Sequence, residues 1–232
     1  MTRSAAAIWF VFGLALSALP SLGESAGARS PQFQMEFSNP ALSPSHWTLT
    51  LYPDGTGHFR SEKGNSGASA LQSAQDSDEQ IQAPDVDRDI KVSSRFADRV
   101  FQTAQQQRHF NSGCESHLKV AFQGLKKISY SGPEGVWNCE FNYSKDKEIQ
   151  ALGDSMLGVA DTIMEGARLE TLLKHDRLGL DSELEYLVEA AKNGRSLELR
   201  TISGILSRLA ADPDVMERVR KRARLLLAGI GS

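Results

Sequence analysis

Cysteine is scarce in this chain, which has Cys114 and Cys139 and no others. They lie 25 positions apart, so no Cys-x-x-Cys spacing exists to lower a thiol pKa and resolve a mixed disulfide, which argues against a redox role. The charge balance is short of cations as well. A formal net charge of -3 argues against a dedicated nucleic-acid binder, which should carry a strongly basic face. Catalytic signatures are also missing, since there is no Gly-x-Ser-x-Gly elbow, no His-Glu-x-x-His and no Gly-Lys-Ser/Thr phosphate loop. Ser116 with Lys119 and Ser144 with Lys147 match Ser-x-x-Lys, but without the companion Ser-Asp-Asn or Lys-Thr-Gly motifs a match this short arises by chance.

Long apolar runs are absent after the first two dozen residues. That first run, Ala5 to Leu19, follows Arg3 and gives way to small and polar residues, which is the order of a secretory signal peptide. Ser21 and Gly23 flank Leu22 in a small-x-small pattern behind Pro20, so residues 1–23 are expected to be removed, with Ala28 as the second cleavage choice. An uncleaved anchor is the alternative, because the run approaches the roughly 18 apolar residues that can span a bilayer. No cysteine follows the run, so lipid modification there is excluded. The mature chain expected after cleavage has about 209 residues, enough for one large domain or two small ones. It would sit in an exported location, periplasmic or extracellular, with no further transmembrane segment.

What is present reads as two kinds of structure. Phe33, Met35 and Phe37 alternate with Gln34 and Glu36, and Trp47, Leu49 and Leu51 alternate with Thr48 and Thr50, a period of two that marks strands with one buried face. Asp54-Gly55 supplies a tight turn and predicts a hairpin over residues 46–61. Residues 61–87 are rich in Ser, Gly, Gln and acids, with Leu71, Ile81 and Val86 as the sizeable apolar groups, and read as a flexible insertion. A short strand at Ile90–Ser93 precedes an amphipathic helix over 94–107, with Phe96, Val100, Phe101 and Ala104 in one stripe. Leu118, Val120 and Phe122, then Ile128 and Tyr130, then Trp137, Cys139, Phe141 and Tyr143 alternate again and predict further strands.

From Lys147 the period changes to 3.6. Ile149, Leu152, Met156, Val159, Ala160 and Ile163 line a long helix whose phase is lost after Gly166. Ser182 with Glu185 reads as a capping box, Ser196 as a second cap, and Asp212-Pro213 as a third helix start, with Gly194 as a stop. The fold class expected is therefore α+β: a small, mostly antiparallel sheet unit with one covering helix over 30–145, then a helical bundle or short helical array over 146–232.

The run "HFNSGCESH", residues 109–117, is the most suggestive chemistry. His109, Cys114 and His117 could offer zinc its mixed ligands, but the spacing fits no zinc signature and Cys139 has no histidine near it. Export puts two thiols in an oxidising compartment, and Cys139 shares the inward face of its strand, so a Cys114–Cys139 disulfide is expected instead. Closing a ring of that size stabilises a fold by roughly 3 to 4 kcal/mol in the loop-entropy model. No metal and no cofactor is expected.

Three further stretches are polar enough to bear on function. "ERVRKRAR" places Arg218, Lys221, Arg222 and Arg224 opposite Met216, Val219, Ala223 and Leu227, so these cations are a candidate contact for anions or a partner but read first as a solvated outer face. "KHDRLGLD", residues 174–181, reads as a helix link. Asn142-Tyr143-Ser144 is a glycosylation sequon only in a eukaryotic host, at a strand position ill suited to it.

The runs "YPDGTG", "GCESHLKVAFQGLKKISYSG" and "LDSELEYLVEAAKNGRSLELRTISGILSRLAADPDVMERVRKRA" resemble uncharacterised exported proteins of bacteria, a resemblance that implies no activity and no functional residues. Around "ADPDVMERVR" the chain also resembles a HEAT-type helical pair over about 45 residues. The function expected is a non-enzymatic binding or scaffolding module that engages a protein or envelope component through the sheet face, the acidic loop or the basic last helix. The rival is a small exported hydrolase using His58, Asp54, His117 and Lys119, which would have to converge in a cleft. An inhibitor or accessory chaperone docking on the hairpin edge is a third reading.

Overall fold

A computed structural model describes residues 30–62, 85–110 and 113–230. The expected signal segment 1–23 and most of the insertion, residues 63–84, lie outside it.

Six strands form one antiparallel sheet: β1 (Gln32–Ser38), β2 (His46–Leu51), β3 (Thr56–Glu62), β4 (Val86–Lys91), β5 (Leu125–Gly132) and β6 (Gly135–Phe141), in the order β4-β3-β2-β1-β5-β6. The alternation read from the sequence is the alternation of burial. Phe33, Met35, Phe37, Trp47, Leu49 and Leu51 are all buried, while their neighbours face the other side. That outer face is polar, with His46 3.9 Å from Glu36, and Lys127 3.8 Å from Glu36 and 4.0 Å from Glu140.

The predicted 46–61 hairpin is β2–β3. Gly55 turns it at φ 81°, and Asp54 Oδ1 accepts the Thr56 N–H at 2.9 Å and its hydroxyl at 2.6 Å.

Helices cover the buried face: α1 (Ser94–Gln106), α2 (Lys147–His175), α3 (Leu180–Lys192), α4 (Ser203–Ala211) and α5 (Glu217–Ala228), with 3-10 turns at Arg108–Phe110 and Leu199–Ile202. The chain is thus the α+β arrangement expected, a sheet unit followed by helices. Two buried clusters result. Phe96, Val100 and Ala104 of α1, and Ile149, Met156, Val159 and Ile163 of α2, close over the sheet. Leu169 and Leu172 of α2 join Leu184, Leu187, Ile205, Leu206, Leu209, Val219 and Leu226 in the second cluster. The 145–146 boundary read from the sequence marks the change from strand to helix. The buried clusters divide instead within α2, between Ala167 and Leu169.

Several local expectations are corrected. Leu118, Val120 and Phe122 form no strand, and the sheet passes straight from β1 to β5. The insertion is shorter than 61–87, because Ser61 and Glu62 belong to β3 and Val86 pairs with Ser61 in β4. Ser182 caps nothing. The chain has already turned at Asp176, whose Oδ1 accepts the N–H groups of Leu178 and Gly179, so α3 starts at Leu180 and the Ser182 hydroxyl donates back to the Gly179 carbonyl. Ser196 is spent on Asp161 at 3.4 Å. Asp212 closes α4 and accepts the Asp214 N–H at 2.9 Å, which builds a turn and delays α5 to Glu217.

Candidate functional site

The segment between Cys114 and β5 is the most unusual surface of the molecule. Residues 117–123 are exposed on both sides, and Leu118, Val120 and Phe122 are 51%, 41% and 59% accessible. An extended segment with three large apolar side chains in water would ordinarily collapse onto its neighbours. This one is pinned.

The anchors can be built in order. The sulfurs of Cys114 and Cys139 lie at disulfide distance, 1.96 Å, which fixes the start of the segment to β6. Next, the Glu115 carboxylate gathers backbone donors: Oε2 accepts the Asn142 N–H at 2.7 Å, and Oε1 accepts the N–H groups of Ser116 at 2.7 Å and His117 at 3.2 Å. The Asn142 N–H contributes most, ahead of those of His117 and Ser116, to holding this carboxyl below its ordinary pKa against the effect of burial. The buried Ser116 then donates its N–H to the Tyr143 carbonyl and accepts the Leu118 N–H.

Asn142 is the hub at the far end. Its Nδ2 donates to the Ala121 carbonyl at 3.1 Å, its Oδ1 accepts the Gln123 N–H at 2.7 Å, and its own carbonyl accepts the buried Lys126 ammonium at 2.9 Å. Burial lowers the Lys126 pKa, opposed by the charges of Asp154 and Glu115, and the ammonium lies 5.5 Å from the centre of the Phe141 ring. Gly124 ends the segment at φ 116°, against the Phe37 ring, where a Cβ would come within 2.3 Å of that ring. A groove of about 430 Å³ runs beside the segment, between Glu115 or His117 and Trp137 or Glu140 of β6.

These bonds explain why alternation here did not make a strand. Ser116 and Asn142 supply side-chain partners that a sheet neighbour would otherwise provide, and the Val120 N–H turns back to the Leu118 carbonyl at 2.9 Å. They also occupy the sequon, since both ends of the Asn142 amide are taken.

The other candidates fall elsewhere. His58 sits on the polar face of β3, 3.1 Å from Asp87 and 3.0 Å from Asp89. Asp54 turns the β2–β3 hairpin, whereas His117 and Lys119 belong to the pinned segment beside β6. Four strand spacings, roughly 19 Å at about 4.8 Å each, separate β3 from β6, so the four residues form no common cleft. The Ser116 hydroxyl bonds Glu115 and Leu118, and the Ser144 hydroxyl accepts the Asp146 N–H; among the described residues neither hydrogen-bonds a lysine. Of the metal reading, Cys114 lies against Cys139, and the His109 side chain lies outside the described residues. Among the described residues no three His, Cys, Asp or Glu gather as a metal site would require.

The basic last helix is mostly committed internally. Arg218 Nε lies 2.7 Å from Asp181, Arg222 pairs with both Asp181 and Glu185, and Arg224 lies 3.3 Å from Glu217. Lys221 is exposed and has no ion pair among the described residues. Arg218 and Arg222 therefore tie α5 to α3, while Arg218, Lys221 and Arg224 stay exposed, as the solvated face read from the sequence expects.

One cluster escaped sequence reasoning. Asp161 and Glu165 on α2 face Glu183 on α3, and Glu183 pairs with Arg168 at 3.0 Å. Burial first, then hydrogen bonding to Glu183 and its charge, push the Glu165 carboxyl up to about 9, and Glu165 Oε2 is buried with no partner among the described residues. Asp161 is also raised, chiefly by burial. The sequence shows two acids one helical turn apart at Asp161 and Glu165, but that Glu183 faces them is set by the packing of α3. The Glu165–Glu183 hydrogen bond joins α2 to α3.

No helix among the described residues is long and apolar enough to cross a membrane. Sheet and helices define the chain as an α+β protein. It matches no protein-family model and no curated protein.

Proposed function

We propose that this chain is an exported, non-enzymatic binding module that takes a protein partner on the segment from His117 to Gln123. One observation carries the reading: Leu118, Val120 and Phe122 are held in water on a backbone fixed by Glu115, Ser116 and Asn142. Burying such side chains fully is worth about 1.5 to 3 kcal/mol each, so a partner that covers them gains most of what folding left unused. Order established beforehand lowers the entropy cost of association. His117 and Lys119 flank the apolar groups, while the Glu115 oxygens are already engaged, so the partner surface is apolar with an acidic rim.

Export is supported by the basic, apolar and then small polar order of residues 1–23 and by a cysteine pair at disulfide distance. The bridge then serves architecture, tying the contact segment to β6.

The test is capture from an envelope extract at physiological salt, with a photo-crosslinker at position 122. The reading expects a protein adduct at 122 that disappears in Leu118→Asp, while the variant melts within about 0.5 kcal/mol of the parent because the site is exposed. No adduct, or equal capture by Leu118→Asp, would refute it.

A further inference from the structure

We propose a second site, independent of that segment: the groove between the first turn of α1 and the Leu199–Ile202 turn binds a small ligand bearing at least two oxyanion groups, on Arg95, Arg99 and Arg200. The groove measures about 510 Å³ and is lined by all three arginines. That volume suits a ligand of metabolite size.

The arginines are placed against their own helix. Arg95 stands in the first turn of α1, where the dipole disfavours a cation, and that turn contains no acid. Arg99 follows at i+4, a repulsive spacing for like charges. Neither has an ion pair among the described residues, in contrast to Arg88, Arg168, Arg218 and Arg222, each within 3.1 Å of a carboxylate oxygen. Arg99 lies 5.9 Å from the Phe96 ring centre, which leaves the edges of its guanidinium open.

Glu198 is the acid within the groove and is already committed. Its oxygens accept the Ser93 N–H and hydroxyl at 2.6 and 2.7 Å, nearer than the 3.8 Å to Arg200 Nε. The helix end is thereby filled from within, and the ligand site is the arginine wall beside it. Asp98 lies in the adjoining hollow with Arg95 and Arg99 and leaves the wall cationic overall. Two guanidinium forks roughly 5 to 6 Å apart at their Cβ atoms match oxyanions a few ångströms apart, each bound bidentately.

Titration calorimetry with citrate and with pyrophosphate, at low and at physiological salt, tests the site. Saturable binding of at least one probe is expected, at least tenfold weaker in Arg95→Gln/Arg99→Gln and unchanged in Arg218→Gln. Binding of citrate alone marks a carboxylate ligand, and of pyrophosphate alone a phosphate ligand. If the double variant fails to fold, Arg200→Gln takes its place with the same expected loss. No saturable binding of either probe, or binding that survives in the arginine variants, would overturn the proposal.

Discussion

Glu198 accepts both polar hydrogens of Ser93, the N–H at 2.6 Å and the hydroxyl at 2.7 Å, and so joins the helical region to the sheet unit where α1 begins. Ser93 in turn caps α1 by accepting the Phe96 N–H at 3.1 Å. Glu198 holds this position at φ 55°, a left-handed backbone that costs a non-glycine residue on the order of 1 kcal/mol or more. The carboxylate must outweigh that strain. We expect Glu198→Ala to lower stability by about 2 kcal/mol, seen in thermal or urea unfolding, because two charge-assisted bonds are lost and the strain stays.

Glu165 gives a pH dependence of definite sign. Its carboxyl is raised from 4.5 to about 9, so the folded chain keeps a proton that the unfolded chain releases. Its contribution is fully favourable below about pH 4.5 and declines as pH rises toward 9. Glu165→Gln, which keeps a donor toward Glu183 and cannot ionise, should therefore melt higher than the parent at pH 8, by roughly 2 to 4 °C for about 1 kcal/mol. The gap should shrink by pH 5. An equal gap at both pH values would show that the parent carries no such proton.

The cysteine pair has its own test. Non-reducing intact mass of exported protein should be two hydrogens below the reduced mass. Cys114→Ser/Cys139→Ser should lower stability by about 3 to 4 kcal/mol, the loop-entropy value for this ring. Free thiols in the exported protein would remove the bridge from the account.

Asn142→Ala removes both side-chain bonds that hold Ala121 and Gln123. We expect a loss of about 1 to 3 kcal/mol and new proteolytic cleavage between residues 117 and 123.

The core strands were legible in the sequence because their burial follows their alternation, as at Phe33, Met35 and Phe37, and the first turns of α2 because Ile149, Leu152 and Met156 recur at helical spacing. Leu118, Val120 and Phe122 mislead for the same reason. Their alternation serves no sheet, and what decides their state is a distant amide, Asn142, that no local pattern shows. Helix starts failed where one polar residue had several partners available: Ser182 turned back to Gly179, Ser196 went to Asp161, and Asp212 made a turn. The basic last helix was recognised by composition, but its partners Asp181 and Glu185 lie on another helix. The Arg95–Arg99 wall needed the fold itself, since its third member, Arg200, is a hundred residues away.

The central claim is that the apolar segment is rigid before any partner arrives. Backbone ¹⁵N relaxation of the free protein measures this directly. Order parameters of about 0.8 or above for Leu118 to Phe122, matching the strands, are the result the account predicts; values below about 0.6 would contradict it.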